Sequence, residues 1–597
     1  MAGVTYMKNT SFIQAGKSIA FSASSLLGPS KSVKCIVDDD GQFEITANAL
    51  KLLRAIKVEH PVISIIHDAC KGLHNTFGTC CSTLVFMIGS WLESLDTLMQ
   101  EGIPVPVINH LFDEAVDYCI QEAFKSSIYL DELTRPMTGR ISDPQIKIVP
   151  ARTTGFSKDA VVQKPDKATL SQGSSISNHR SQPSNFISGF QSRTSAFDKS
   201  PRTVFSSRYS RHLTEDAVTQ CEEDRLLAIS ASIARICHGV ARNDANVEQI
   251  LLKVTEVIRN RQNGFIEIRD LDLCLDDIFI EICDGKPEAQ SSVFEGICVA
   301  DVVDDLRNTL SPIEKKPVKV GLIDFDQMLY CKKRGKSSDD TNRSDSFKKK
   351  LHQLEISCII YRGEDKEFLD TCHAVGLLAL KVSTLRHLKA LSLATMNPIV
   401  SSIYHLESSD IGLPIVLSLK HFTDESLRQR RAKKRLKSVI SLQFPGCSQR
   451  FITILVCGTI PVVTSLLEER LTSSLWRLRN LLKEKKCIHG GGGIERKCIS
   501  QLKEHAERSQ RATSNNRSSL PRFLVNELNI YRPIVFTELS KGLERYCSNI
   551  SRNIAEAGAT KATAIDDLGS KCEAWKRAIN VVNVISRIDM VVTNGVE

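Results

Sequence analysis

Nothing in this 597-residue chain is apolar for long enough to read as a membrane span. The two most apolar windows, residues 80–92 and 452–467, are short or interrupted by Ser, Gly and Pro461. The first twenty residues hold no continuous apolar core, so no secretory signal is expected. Nor is there a CxxC among the 19 cysteines, which argues against a zinc ribbon or a dithiol redox motif. An odd cysteine count without an export signal fits reduced thiols in the cytosol, and the adjacent Cys80 and Cys81 read as small core residues. Aromatic residues make up only 6%, and none interleaves with the basic run at 427–437, which leaves base stacking without support. Excess charge is scarce too: 78 Lys and Arg against 69 Asp and Glu leave +9, a surplus that a solvated surface absorbs without nucleic acid. His60, His67 and His74 recur at a regular interval, but no Cys or carboxylate joins them at a zinc spacing.

What is present suits a globular protein too long for one core. A content of 42% hydrophobic and 25% charged residues over this length predicts several domains. Residues 11–124 read as mostly helical, with a hairpin at 35–46 around the turn-rich Asp38-Asp39-Asp40-Gly41. From about 150 to 212 polar residues dominate and no periodicity survives. Such a stretch cannot bury enough apolar surface to offset its ordering entropy, so a disordered insertion, dispensable for folding, is expected there. Helical spacing returns at 224–240 and 247–258. Strands are expected at 264–275, 278–282, 296–303 and 318–323, followed by a polar loop at 332–343. Alternating helices and strands then run to 394, the pattern of an α/β or α+β module. From 464 the chain reads as helical again, apart from the glycine run at 490–493. No internal repeat or heptad run is visible.

The most informative stretch is 57–102. Pro61 opens one helix at a position where its missing N–H costs nothing. Gly78-Thr79-Cys80-Cys81-Ser82-Thr83 then forms a small-residue turn into a second helix, whose stripe Leu84, Met87, Ile88, Trp91 and Leu92 reads as core packing. Small residues before a helix N-terminus let backbone N–H groups approach a phosphate. The run Gly490-Gly491-Gly492 reads either as a helix-terminating loop or as part of a nucleotide pocket. Taken in order, five landmarks resemble the group II chaperonins at nearly the family spacing. They are Leu27-Gly28-Pro29, Val58-Glu59-His60-Pro61, the turn from Gly78 to Thr83, Gly490-Gly491-Gly492 with Glu495, and Arg587-Ile588-Asp589. The wording of residues 82–91, of Ile530-Tyr531-Arg532-Pro533 and of Glu573-Ala574-Trp575 is similar to one divergent branch, the vertebrate chaperonin-like Bardet–Biedl syndrome proteins.

This resemblance implies a multidomain α plus α/β subunit. Residues 1–145 and 475–597 would form a helical equatorial domain, 216–285 and 446–474 intermediate segments, 286–445 an α/β apical domain, and 146–215 the insertion. It implies a remnant nucleotide pocket at Leu27, Gly28, Pro29, Gly78, Ser82, Thr83, Gly491 and Gly492, with ATP as the cofactor. Departures from the family are equally specific. The magnesium-holding aspartate corresponds to Thr79, and the second catalytic aspartate to Ser473. After Leu27-Gly28-Pro29 the family has Lys or Arg, Gly, Met and Asp; this chain has Ser30, Lys31, Ser32 and Val33. The family's next Asn-Asp-Gly has become Ala47-Asn48-Ala49. Hydrolysis needs charge neutralisation at the phosphates and a group that orients water, so two hydroxyls in place of two carboxylates predict no catalytic residue and no bound metal. The resemblance thus implies a chaperonin-like factor that helps assemble the ciliary BBSome without hydrolysing ATP. Its partners would be other chaperonin-like Bardet–Biedl syndrome proteins, cytosolic chaperonin subunits and BBSome subunits, in the cytoplasm at the centrosome or ciliary base. Nucleic acid and membrane insertion are not expected. An ATP-dependent folding subunit of the ordinary kind is the alternative, and a basic nucleic-acid scaffold ranks third.

Overall fold

The computed structural model describes residues 3–5, 9–56, 60–130, 132, 229–261, 270–302, 313–325, 349–363, 366–402, 405–421, 438–444, 450–516, 527–556, 564–588 and 591–593. The insertion expected at 150–212, the polar loop at 332–343 and the basic run at 427–437 lie outside these residues.

The Cys81–Gln100 helix accounts for the first core. It carries no charge between Cys81 and Leu92, and every side chain in that stretch is buried, as in a helix packed on all sides. Helices from both ends of the chain surround it: Asn9–Ala23, Pro61–Phe77 and Val105–Lys125 from the N-terminal part, Gly493–Asn516, Glu527–Glu556 and Leu568–Ile585 from the C-terminal part. Trp91 and Trp575 are its largest buried side chains. Gly89 sets the approach of the Asn9–Ala23 helix, since a Cβ there would sit 1.9 Å from that of Ala20.

A second core joins the helix at 229–241 to Ala245–Arg261 and Pro461–Glu484. They pack on a three-stranded sheet in which Ile452–Gly458 pairs in parallel with Ile278–Asp284 and antiparallel with Ser292–Glu295. The middle of the chain forms a seven-stranded mixed sheet. Its order is Leu378–Lys381, Ile356–Arg362, Pro317–Asp324, Ile415–His421, Ser438–Gln443 and Ile297–Val302, with Ile399–Val400 added beside Pro317–Asp324. Strand Ile356–Arg362 shows why the sequence runs apolar there without alternation. Cys358 and Ile360 face one core, which holds Leu388 and Leu391, whereas Ile359 and Tyr361 face another, which holds Cys372.

Three expectations are corrected. The strand expected over 264–275 is absent from its described part: 270–274 contain no strand, and Leu275–Asp277 is a 3-10 turn that leads into the Ile278–Asp284 strand. Three acidic residues within Asp272–Asp277 favour local turns there over a ladder. From 464 the chain was expected to stay helical, yet the last helix stops at Ile585. Residues Val591–Thr593 instead form a strand that pairs antiparallel with Gly3–Thr5. Continuous β-branched residues there favour the strand. A small sheet of Ile128–Tyr129, Lys486–His489 and Ile565–Asp567 was not anticipated, because strands this short show no alternation.

Candidate functional site

A cavity of about 890 Å³ opens between the helical core and the Pro461–Glu484 helix. Leu27, Gly28, Pro29, Gly78, Ser82, Thr83 and Gly491 all line it, together with Thr79 and Ser473. Gly492 is the exception. It turns away at φ 84°, and its carbonyl accepts the Cys547 thiol at 3.7 Å.

Local chemistry builds each wall. A 3-10 turn at Ser24–Leu26 leads into extended Leu27 and then Gly28 at φ 82°. Asn553 secures this turn by donating to the Ser24 and Leu27 carbonyls at 3.0 and 3.1 Å. Gly78 ends the Pro61–Phe77 helix in the left-handed region at φ 65°, and Cys80, also at φ 65°, starts the Cys81–Gln100 helix. No side chain caps that N-terminus, so its positive dipole end faces the cavity. Gly78 is required twice over, because a Cβ there would lie 2.1 Å from the Trp476 ring. Gly78→Ala is expected to cost about 2–4 kcal/mol from backbone strain and overpacking combined, read as a fall in the denaturant midpoint.

The cavity's charge pattern was not legible beforehand. Among the described residues, five cationic side chains line it: Lys31, Lys51, Arg242, Arg470 and Arg477. Three have carboxylate partners: Lys51 with Glu469 at 2.8 Å, Arg242 with Asp566 at 2.6 Å, and Arg470 with Asp244 at 2.6 Å. Glu469 is held further by Thr46 Oγ1 and the Ala47 N–H. Burial pushes Glu468, the remaining carboxylate on the wall, above the usual range. Lys31 and Arg477 have no carboxylate within ion-pair distance among the described residues. Burial, then Arg477 and Arg242, pushes Lys31 down to about 8. Arg477 is 5% exposed and donates only to neutral oxygens, those of Val240, Ser474 and Ser473. The one available sequence signal was position: Arg477 lies one helical turn beyond Ser473 and so shares its face.

Beneath the cavity sits a buried polar cluster. Lys571 Nζ lies 2.7 Å from Glu495 and 3.2 Å from Asp566, and donates to Tyr546 Oη at 3.1 Å. Tyr546 in turn bonds Thr83 Oγ1 at 3.1 Å, which ties the cluster to the cavity wall. Although burial opposes ionisation of Asp566, Lys571, Arg242 and Arg477 hold its carboxyl well below the usual range.

A magnesium-bound nucleotide does not fit this donor set. Thr79 presents a neutral hydroxyl, which is a weak ligand for a hard divalent cation. Asp244, Glu469 and Asp566 on the walls are already bound by cations. At Ser473, where the resemblance implies the family's second aspartate, Oγ accepts from Arg477 Nη2 at 2.8 Å, which engages a lone pair that would otherwise orient water.

The sequence profile of the TCP-1/cpn60 chaperonin family matches residues 19–142 and 222–595. The chain belongs to the TCP-1/cpn60 chaperonin family. Within that family it is similar to the chaperonin-containing T-complex member BBS12 of Homo sapiens, 21% identical over 91% of this chain and 83% of that protein. Its counterpart in Mus musculus is 22% identical over 91% and 83%. Thermosome subunit alpha of Thermoplasma acidophilum is 21% identical over 98% of this chain and 91% of its own. The chaperonin resemblance and its divergent branch therefore hold, as does the multidomain α plus α/β chaperonin-like fold. In this family member, no described helix is long and apolar enough to cross a membrane.

Proposed function

We propose that this chaperonin family member is an assembly factor that works without hydrolysing ATP, helping to build the ciliary BBSome alongside related chaperonin-like proteins and the cytosolic chaperonin. One observation carries the non-hydrolytic part. The hydroxyl of Ser473 is engaged by the Arg477 guanidinium at 2.8 Å, in a cavity whose other family carboxylate position is Thr79. Likeness to relatives named as BBS12 members of a chaperonin-containing T-complex supports the assembly role. So does the exposed hairpin of Lys34–Val37 and Phe43–Thr46, which ends on Val37 and Phe43, 64% and 62% exposed. An unpaired hairpin edge with apolar side chains is a surface that a partner chain would cover. The cytoplasm at the centrosome or ciliary base is the matching location.

The test is affinity capture of the full chain from ciliated cells. Cytosolic chaperonin subunits, related chaperonin-like proteins and BBSome subunits are the expected companions. A Phe43→Asp variant should reduce their recovery several-fold, because it places a charge on the covered edge. Migration of the wild-type protein as a monomer with none of these companions would refute the assembly reading.

A further inference from the structure

The donor set that disfavours magnesium has a positive counterpart. Three of the five cations on the cavity wall are neutralised by carboxylates. Lys31 and Arg477 are not. Arg477 is nine-tenths buried, and its Nε has no hydrogen-bond partner among the described residues. A guanidinium stays protonated, so the folded chain carries the cost of a buried charge beside a second cation. The negative groups acting on Lys31 are Glu469, already bound to Lys51, and the thiolate form of Cys81, whose thiol a hydrogen bond with Cys70 brings down to about 6. The uncapped N-terminus of the Cys81–Gln100 helix adds its own positive end to the same space. Buried cations arranged in this way demand a counterion, and about 890 Å³ leaves ample room for one.

We propose that this cavity is a metal-independent oxyanion site, in which the Lys31 ammonium and the Arg477 guanidinium hold a polyphosphate group. The two side chains supply the charge neutralisation that a divalent cation would otherwise bring. No bond is made or broken; the anion is held. The polyphosphate can come from a nucleoside triphosphate or from a free inorganic chain, since Lys31 and Arg477 recognise phosphate oxygens alone. This site stands apart from the assembly role, because its test reads binding and not the recovery of partners.

Isothermal titration calorimetry on the full-length protein, with sodium tripolyphosphate and with ATP, each in EDTA and in excess magnesium, tests it. Binding in EDTA is expected with at least one of the two, with no gain in affinity from magnesium. Equal affinities would assign recognition to the phosphates alone; tighter ATP binding would add contacts to the nucleoside, and both results uphold the site. Lys31→Ala should weaken binding about tenfold or more. Lys31 makes no hydrogen bond or ion pair with any described residue, so this variant keeps its fold, which thermal unfolding checks. Arg477→Gln should show the same loss and Arg477→Lys a smaller one. Should Arg477→Gln fail to fold, Lys31→Ala still decides the matter. Absence of binding in EDTA, binding only with magnesium, or an affinity unchanged in Lys31→Ala would each overturn the proposal.

Discussion

Purified protein supplied with ATP and magnesium should release phosphate no faster than buffer. Thr79 offers no anionic ligand for a metal, and Ser473 gives up hydrogen-bonding capacity to Arg477 at 2.8 Å. Removing a single group that stabilises developing charge typically costs about 10²–10³ in rate, and the family resemblance implies that both carboxylates are replaced here. Turnover below roughly a thousandth of an active chaperonin's is therefore expected in a phosphate-release assay. Restoring one carboxylate should not rescue it. An aspartate at 473 would pair with Arg477 instead of orienting water, so Ser473→Asp should remain inactive, and Thr79→Asp alone would still lack the second group. Magnesium-dependent turnover that disappears in Ser82→Ala and Thr83→Ala variants would show that the cavity hydrolyses ATP by another arrangement.

The largest stability effect is expected at Lys571. Its side chain is 2% exposed and its partner Glu495 is fully buried, the two lying 2.7 Å apart. Lys571→Met removes the cation and leaves Glu495 and Asp566 facing each other's charge without it, a change that costs about 3–5 kcal/mol. Tyr546 would also lose the donor that bonds its hydroxyl. Tryptophan fluorescence during urea unfolding can follow this, since Trp91 and Trp575 lie in the same core. A double variant, Lys571→Met with Glu495→Gln, should recover part of the loss, because one orphaned charge is removed with its partner. The sign of the pH dependence follows from the directions of the shifts. Asp566 is held below its unfolded value, so its contribution is present above about pH 4 and lost as the pH falls further. Lys571 is held above its unfolded value, so its contribution is present below about pH 10 and lost as the pH rises further. Between those limits the difference between wild type and Lys571→Met should stay constant. A difference under about 1 kcal/mol would mean that water or backbone shifts replace the ammonium.

Much of the architecture was readable residue by residue. The apolar run of Cys81–Gln100, Pro61 at a helix start and the alternation around Asp38-Asp39-Asp40-Gly41 each depend on neighbours within a few positions. The alternation of helices and strands up to 394 was legible for the same reason, and Lys366–Val375 is one of its helices. The hydroxyls at Thr79 and Ser473 were equally visible, because a residue's identity is a property of the chain whatever its fold. Short strands such as Ile565–Asp567 were missed, since three residues carry no period and the ladder forms only against Lys486–His489. The pairing of charges in the cavity was beyond reach altogether. Arg242 and Asp566 stand 324 positions apart yet meet at 2.6 Å, whereas Arg477, four residues from Ser473, has no carboxylate within ion-pair distance among the described residues. Propensity and periodicity act over one or two turns of chain, so sequence order alone establishes the long, strongly periodic elements and which residues stand at 79 and 473. Coulomb energy depends on distance through space, so folding alone settles which cations are neutralised and which two remain to attract an anion.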